Sequence, residues 1–96
     1  MLSEAAVVVF DPADNVATAK TNLATGDDIG LNDVEGESVL LKNPIPFGHK
    51  VAIRPIPKGA WVVKYGAYIG RAARAIEVGE HVHVHNMVSV RGKVRS

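Results

Sequence analysis

Short apolar runs alternate with clusters of turn-forming residues along the whole chain, a pattern that predicts a compact, mainly β domain. Residues 5–10 are continuously apolar and rich in β-branched valine, as in a buried strand, and Asp11-Pro12-Ala13-Asp14 stops them. Asp14 is then placed to cap one short helix over residues 15–23, closed by Gly26, with Val16, Ala19 and Leu23 on one stripe. Brief strands are expected next: residues 29–31, ending by Val34 before the turn Glu35-Gly36-Glu37, then residues 38–42 and 50–54. In the last of these Val51 and Ile53 face one way, and Lys50, Ala52 and Arg54 the other. Further strands fall over residues 61–64, 68–72 and 81–90, with Phe47 and Trp61 expected in the core. No linker, low-complexity segment or repeat is visible. The pattern predicts a single domain over residues 1–96, its core within 5–90 and its basic tail, 91–96, frayed.

Composition narrows the field. With 96 residues, 47% of them hydrophobic and 22% charged, the chain reads as a globular domain too small to wall in a complete active site. The absence of cysteine removes disulfide scaffolds, thiolate metal sites, iron–sulfur clusters and cysteine nucleophiles. No apolar run approaches the roughly 20 residues that span a bilayer, and no leader pattern opens the chain, so a cytoplasmic protein is expected. The net charge of +1 hides an asymmetry: eight of the ten acidic residues lie in residues 1–40, and ten of the eleven basic ones in 41–96. Either the second half offers a basic face to an anion or an acidic partner, or the halves interleave and neutralise each other. Sparse aromatics and dispersed basic residues argue against nucleic acid.

The chemistry concentrates in His81-Val82-His83-Val84-His85-Asn86. On an extended strand the three imidazoles leave one face, with His83 and His85 about 6.6–7 Å apart at their Cα atoms. Two rings at that spacing can converge on a divalent ion or act as base and acid on one substrate. A half-solvated strand face would also place polar residues at alternate positions with no ligand at all. The motif lacks a carboxylate, which favours a site completed by substrate or a second chain over an all-protein metal cage. Gly48-His49-Lys50 suits a carboxylate or phosphate, its alternative being a solvated strand start. Lys64-Tyr65-Gly66 offers a cation and a phenol, its alternative being an exposed β-turn.

Taken in order, Gly48-His49-Lys50-Val51-Ala52, Ile56-Pro57-Lys58-Gly59, Lys64-Tyr65-Gly66, Ile69-Gly70 and His83-Val84-His85-Asn86 resemble the SAF domain (antifreeze-like, β-clip) of the altronate/galactarate dehydratase family. Asp14-Asn15-Val16-Ala17 is similar to that family's first helix. The resemblance implies a lyase acting on sugar acids or related hydroxy acids, altronate, galactarate or sulfolactate, and a divalent metal, Fe²⁺ or Mn²⁺, in the assembled enzyme. It further implies a large catalytic lyase subunit as partner, and activity only in that complex; self-association stays open. On this resemblance His49, His83 and His85 are catalytic, with His83 and His85 alternatively metal ligands. Lys50, Lys64, Tyr65 and Asn86 bind substrate, and His81 is auxiliary. The galactarate branch shares Gly-His-Lys and Tyr-Gly without the paired histidines, which tilts the expected substrate toward altronate or sulfolactate. A non-catalytic carbohydrate-binding or structural SAF module, and a stand-alone metal-binding protein, are the competing expectations.

Overall fold

The computed structural model describes residues 6–31 and 37–94. Its elements are β1 (Val7–Val8), β2 (Val16–Ala19), β3 (Asp28–Gly30), β4 (Ser38–Leu40), β5 (Lys50–Ala52), β6 (Trp61–Lys64), β7 (Ala67–Ala72), β8 (His81–Val82) and β9 (Met87–Val94). Ala5, Val34, Glu35 and Gly36, on which parts of the strand expected over residues 5–10, the end of the strand at 29–31 and the turn after it rested, lie outside the described residues, as do Arg95 and Ser96. All strand pairs are antiparallel. A four-stranded sheet in the order β1-β2-β5-β8 is the centre; the β3-β4 pair and the β6-β7-β9 sheet are separate.

Two buried clusters lie on the two sides of the central sheet. Ala17, Ala19 and Val51 join Ile29, Val39 and Leu41 in the first, while Val16, Ala52 and Val82 join Val62, Ala72 and Met87 in the second. Adjacent residues thus face opposite cores, as the strand period of two requires. Among the described residues there is no helix, and none long and apolar enough to cross a membrane. The helix expected over residues 15–23 is the strand β2, followed by a bridge from Leu23 to Ile45. Its alanines are small enough to be covered on both sides, and pairing with β1 and β5 overrides their helix propensity.

Asp14 therefore caps no helix. Wholly buried, it accepts the backbone N–H of Tyr65 (3.1 Å) and of Gly66 (2.9 Å) in the two-residue β6–β7 turn. Asn15 holds β6 from the next position, accepting from Val63 N–H and donating to the Trp61 carbonyl. Tyr65 (φ 59°) and Gly66 (φ 70°) both sit in the left-handed region that such a hairpin turn demands.

The chain does contain a repeat. Leu23-x-x-Gly26-x-x-Ile29, Ile45-x-x-Gly48-x-x-Val51, Ile56-x-x-Gly59-x-x-Val62 and Ile76-x-x-Gly79-x-x-Val82 each make one corner. Every corner closes a four-residue turn by an N–H···O=C bond: Asp27 to Ala24, His49 to Pro46, Ala60 to Pro57, Glu80 to Glu77. The third residue of each turn is a glycine with φ between 83° and 91°, the conformation that calls for glycine there. The corners pair through the bridges Leu23–Ile45 and Ile56–Ile76. Three shared positions in seven, of which only the glycine is identical throughout, recurring at irregular intervals, do not stand out in the primary sequence.

Three further expectations change. Phe47 is the second residue of a corner turn and points outward, 67% exposed, instead of entering the core. Trp61 is half-buried on the outside of β6, stacked on Tyr68 at 4.3 Å with the Arg71 guanidinium 3.9 Å from its ring. The strand expected over residues 81–90 breaks after Val82, and the tail expected to fray from residue 91 continues as β9 to Val94. In the central sheet the strands of the acidic half, β1 and β2, lie side by side and meet those of the basic half, β5 and β8, along the β2–β5 pair.

Candidate functional site: an imidazole cluster at two corners

The second and fourth corners deliver the site. β5 starts after Gly48 and β8 starts after Gly79, and the register sets Val51 opposite His81 and Lys50 opposite Val82. Side chains opposite one another, or two apart on one strand, share a face, so His49 and His81 fall together. His49 Nδ1 and His81 Nε2 are 2.9 Å apart, a ring-to-ring hydrogen bond. His83 stacks on His49 at 4.6 Å between centroids and lies 5.4 Å from the His81 ring. One nitrogen from each of His49, His81 and His83 lies within 4.8 Å of the others, and all three residues are half-buried.

His85, expected as a partner of His83, is exposed, and its ring approaches His81 at 5.4 Å. The strand alternation that suggested the His83–His85 pair stops where the chain turns: the N–H groups of Asn86 and Met87 both return to the His83 carbonyl. Asn86 makes that turn. Wholly buried, it accepts the His83 N–H through Oδ1 (3.0 Å) and donates from Nδ2 to the His81 carbonyl (2.8 Å). Both polar atoms of its side chain are thus engaged in shaping the loop that carries His83. Asn43, which no pattern in the sequence singled out, accepts the His81 N–H at 2.9 Å. His81, left outside the expected motif, is the centre of the cluster.

The electrostatics favour neutral rings. Burial first, then the neighbouring His49, His85, His83 and Lys50, push His81 down to about 4. His83 is lowered by burial and then by His49, Lys50 and His85. Lys50 is lowered by burial and by Lys64, which places the two ammonium groups within electrostatic reach of each other. Beyond Lys64, the exposed Tyr65 ring stacks on Phe10 at 4.2 Å, and Lys64 Nζ stands 5.1 Å from the Tyr65 centroid and 5.8 Å from that of Phe10. Of the residues expected at the site, His49 and His83 meet in the cluster and His85 stands at its margin; Lys50 lies within electrostatic reach of His81, His83 and Lys64, and Lys64 stands over the Tyr65 ring. Imidazoles without charge can take protons or ligate a metal, and the two lysines suit an anion.

An all-β fold of antiparallel strands and paired glycine corners is the architecture of a SAF domain. The altronate/galactarate dehydratase SAF domain matches residues 5–90, and the chain belongs to that family. It is 45% identical over 73 residues to altronate dehydratase of Escherichia coli K12 and 40% identical over 73 residues to that of Bacillus subtilis 168. Those matches take in 76% of this chain but 14% of either relative. Over 51 residues it is 49% identical to (2R)-sulfolactate sulfo-lyase subunit alpha of Chromohalobacter salexigens, covering 53% of this chain and 54% of that subunit.

Proposed function

We propose that the chain is the SAF component of a hydroxy-acid lyase and completes, with a larger catalytic polypeptide, a site that eliminates water from an altronate-like sugar acid. The observation that supports this most is the convergence of His49, His81 and His83, with Lys50 within electrostatic reach of the rings. The three histidines are only half-buried, so a ligand held there would leave its far side to be enclosed by a partner. The relatives named altronate dehydratase are several times longer than the matched segment, which fits such a division of labour.

In the elimination a base takes the proton from C2, the C2–C3 double bond forms, and the C3 hydroxyl leaves with a proton as water. The resulting enol tautomerises to a 2-keto-3-deoxy acid. His81, neutral at pH 7, has the protonation state of a base, and its bond to His49 gives the proton a second ring to rest on. Lys50 and Lys64 hold the carboxylate, and Tyr65 a hydroxyl. The divalent metal implied by the family, Fe²⁺ or Mn²⁺, supplies Lewis acidity toward the carboxylate and α-hydroxyl when bound. Three nitrogen donors within mutual reach fit such an ion, and His49, His81 and His83 would hold it as the alternative to His81 and His49 acting on the proton.

A second reading has its own support. Identity of 49% over 51 residues, 54% of the sulfolactate sulfo-lyase alpha subunit, supports it. On that reading the leaving group is sulfite, which departs without a proton. Both readings are tested by co-expressing the chain with an adjacently encoded large lyase polypeptide and assaying 2-keto acid release from altronate, galactarate and sulfolactate. Release from altronate is expected, falling about 100-fold or more in His49→Ala. Release from sulfolactate with sulfite selects the second reading, and no product from any substrate overturns both.

A further inference from the structure

The sheet β6-β7-β9 turns one face to the second buried cluster and leaves a row across its other face open. Directly opposite residues on neighbouring strands share a face, and the register sets Trp61 opposite Arg71 and Arg71 opposite Val88. The neighbours of that row, Val62, Ala72 and Met87, point into the cluster, so Trp61, Arg71 and Val88 point outward. Val88 is 62% exposed, Arg71 is exposed, and the Trp61 ring stacks on Tyr68 of the adjacent strand. We infer that this outer face is the docking surface for the larger lyase polypeptide, which meets it with an apolar patch edged by carboxylates. Which polypeptide docks rests on the lyase reading; the surface and its chemistry stand on the residues alone.

Tryptophan, tyrosine and arginine are the residue types that dominate binding energy in protein interfaces. Here they are held in place before any partner arrives. The Trp61 and Tyr68 rings are 4.3 Å apart and 5° from parallel, the Arg71 guanidinium is 3.9 Å from the Trp61 ring, and Arg71 donates to the Gly59 carbonyl at 3.0 Å. Rotamers fixed in this way spare a complex the entropy of ordering them. The face also lies where a partner is needed. β9 begins at Met87, directly after the turn that Asn86 makes beneath His83, and Val84 in that turn is 77% exposed. A polypeptide seated at Val88 is therefore a few residues of chain from the imidazoles it has to enclose.

Charge decides the occupant. Strands β6, β7 and β9 contain Lys64, Arg71, Arg91 and Lys93 and no acidic residue. Cations elsewhere meet glutamates, in the pairs Lys42–Glu77, Arg54–Glu37 and Arg74–Glu80, whereas among the described residues Arg71 meets none. A two-fold pairing of this face with itself would set like charges against like and weaken association. Carboxylates on a different polypeptide complement the same cations and speed the encounter. The face thus selects against a second copy of this chain and for an acidic-edged partner.

The test is the affinity of the 96-residue chain for the separately purified, adjacently encoded large lyase polypeptide, measured by calorimetry at about 50 and 500 mM NaCl. Arg71→Glu and Val88→Glu should each weaken binding by about 30-fold or more, the level of an interface hot spot. Phe47 is comparably exposed on the second corner, and Phe47→Ser should change binding less than about threefold. Wild-type affinity should fall about tenfold or more between the two salt concentrations, and that of Arg71→Glu should fall less. Urea midpoints of the isolated variants should match wild type, since the substituted side chains are exposed. Should Arg71→Glu fail to fold, Val88→Glu and the wild-type salt dependence decide. No wild-type complex, affinities of both variants within about threefold of wild type, or a Phe47→Ser loss matching theirs would overturn the surface. Self-association of the wild-type chain that Val88→Glu abolishes would overturn the occupant. Variants that lose a partner whose wild-type complex releases no keto acid remove the lyase reading and leave the surface standing; an active wild-type complex that the variants form as tightly does the reverse.

Discussion

Asp14 distinguishes two accounts of the same sequence by the size of one effect. As the cap of a helix over residues 15–23, it would contribute about 1 kcal/mol, and Ser would replace it at almost no cost. In the fold it is a buried carboxylate that accepts two backbone N–H groups from the turn at Tyr65 and Gly66, at 3.1 and 2.9 Å. Hydrogen bonds to a charged acceptor contribute about 1.5–3 kcal/mol each, so Asp14→Ala should cost about 3–5 kcal/mol by orphaning both donors. Asp14→Ser retains one oxygen in place of two and should cost about 2 kcal/mol or more. Asp14→Asn keeps the isostere but turns an amide N–H against the Tyr65 N–H, with a loss of about 2–3 kcal/mol. A 96-residue domain has about 5–14 kcal/mol in all, so urea midpoints at pH 7 resolve these steps easily, at unchanged m. A Ser variant within about 0.5 kcal/mol of wild type would refute the clamp and restore the helix.

Three further outcomes follow from the same structure. His81 is lowered in the fold to about 4 from an unfolded value near 6.5, so the unfolded chain binds more protons between those pH values. Stability should therefore be complete above pH 6.5 and fall as pH drops toward 4, and His81→Gln should flatten that slope in urea titrations at pH 7 and 4.5. Gly26 and Gly79 both have φ of 91°, but an alanine Cβ meets nothing at Gly26, whereas at Gly79 it collides with the Leu40 carbonyl. Thermal unfolding should show Gly26→Ala costing about 1–2 kcal/mol from backbone strain alone, and Gly79→Ala clearly more; equal losses would mean the close approach of β4 is wrong. Tyr65→Gly should lose little or gain about 0.5–1 kcal/mol by relieving a left-handed tyrosine, and a loss above 1 kcal/mol would show that its stack on Phe10 outweighs the strain.

What the sequence reveals about this fold depends on how local the signal is. Val51 and Ile53 against Ala52 is a period-two pattern resolved within three residues, and the two faces pack into different cores as read. The segment Val16–Ala19 misleads because alanine serves a helix and a two-sided strand equally well, and its choice is made by β1 and β5. The corners escape notice for a related reason. Each carries only a branched aliphatic residue, a glycine three places on and another aliphatic residue three beyond, and their equivalence becomes visible only when the bridges Leu23–Ile45 and Ile56–Ile76 pair them.

The site follows the same logic one level higher. Lys50, Lys64, Tyr65 and the histidines are legible as reactive residue types, but which of them meet is decided by the register of β5 on β8, a pairing between residues some thirty apart. A local motif undervalues His81, because it ranks neighbours by spacing, and spacing joins His83 to His85. A buried amide overrules it: Asn86 turns the chain after Val82, so His83 folds back toward His49 and His85 is left outside. Replacing Asn86 with Ala would then release the loop toward extended pairing and dissolve the cluster without removing a single imidazole. Ring-resonance shifts of His49 and His83 in Asn86→Ala, compared with wild type at pH 7.5, measure that directly; unchanged shifts would mean that the β5–β8 register alone holds the histidines together.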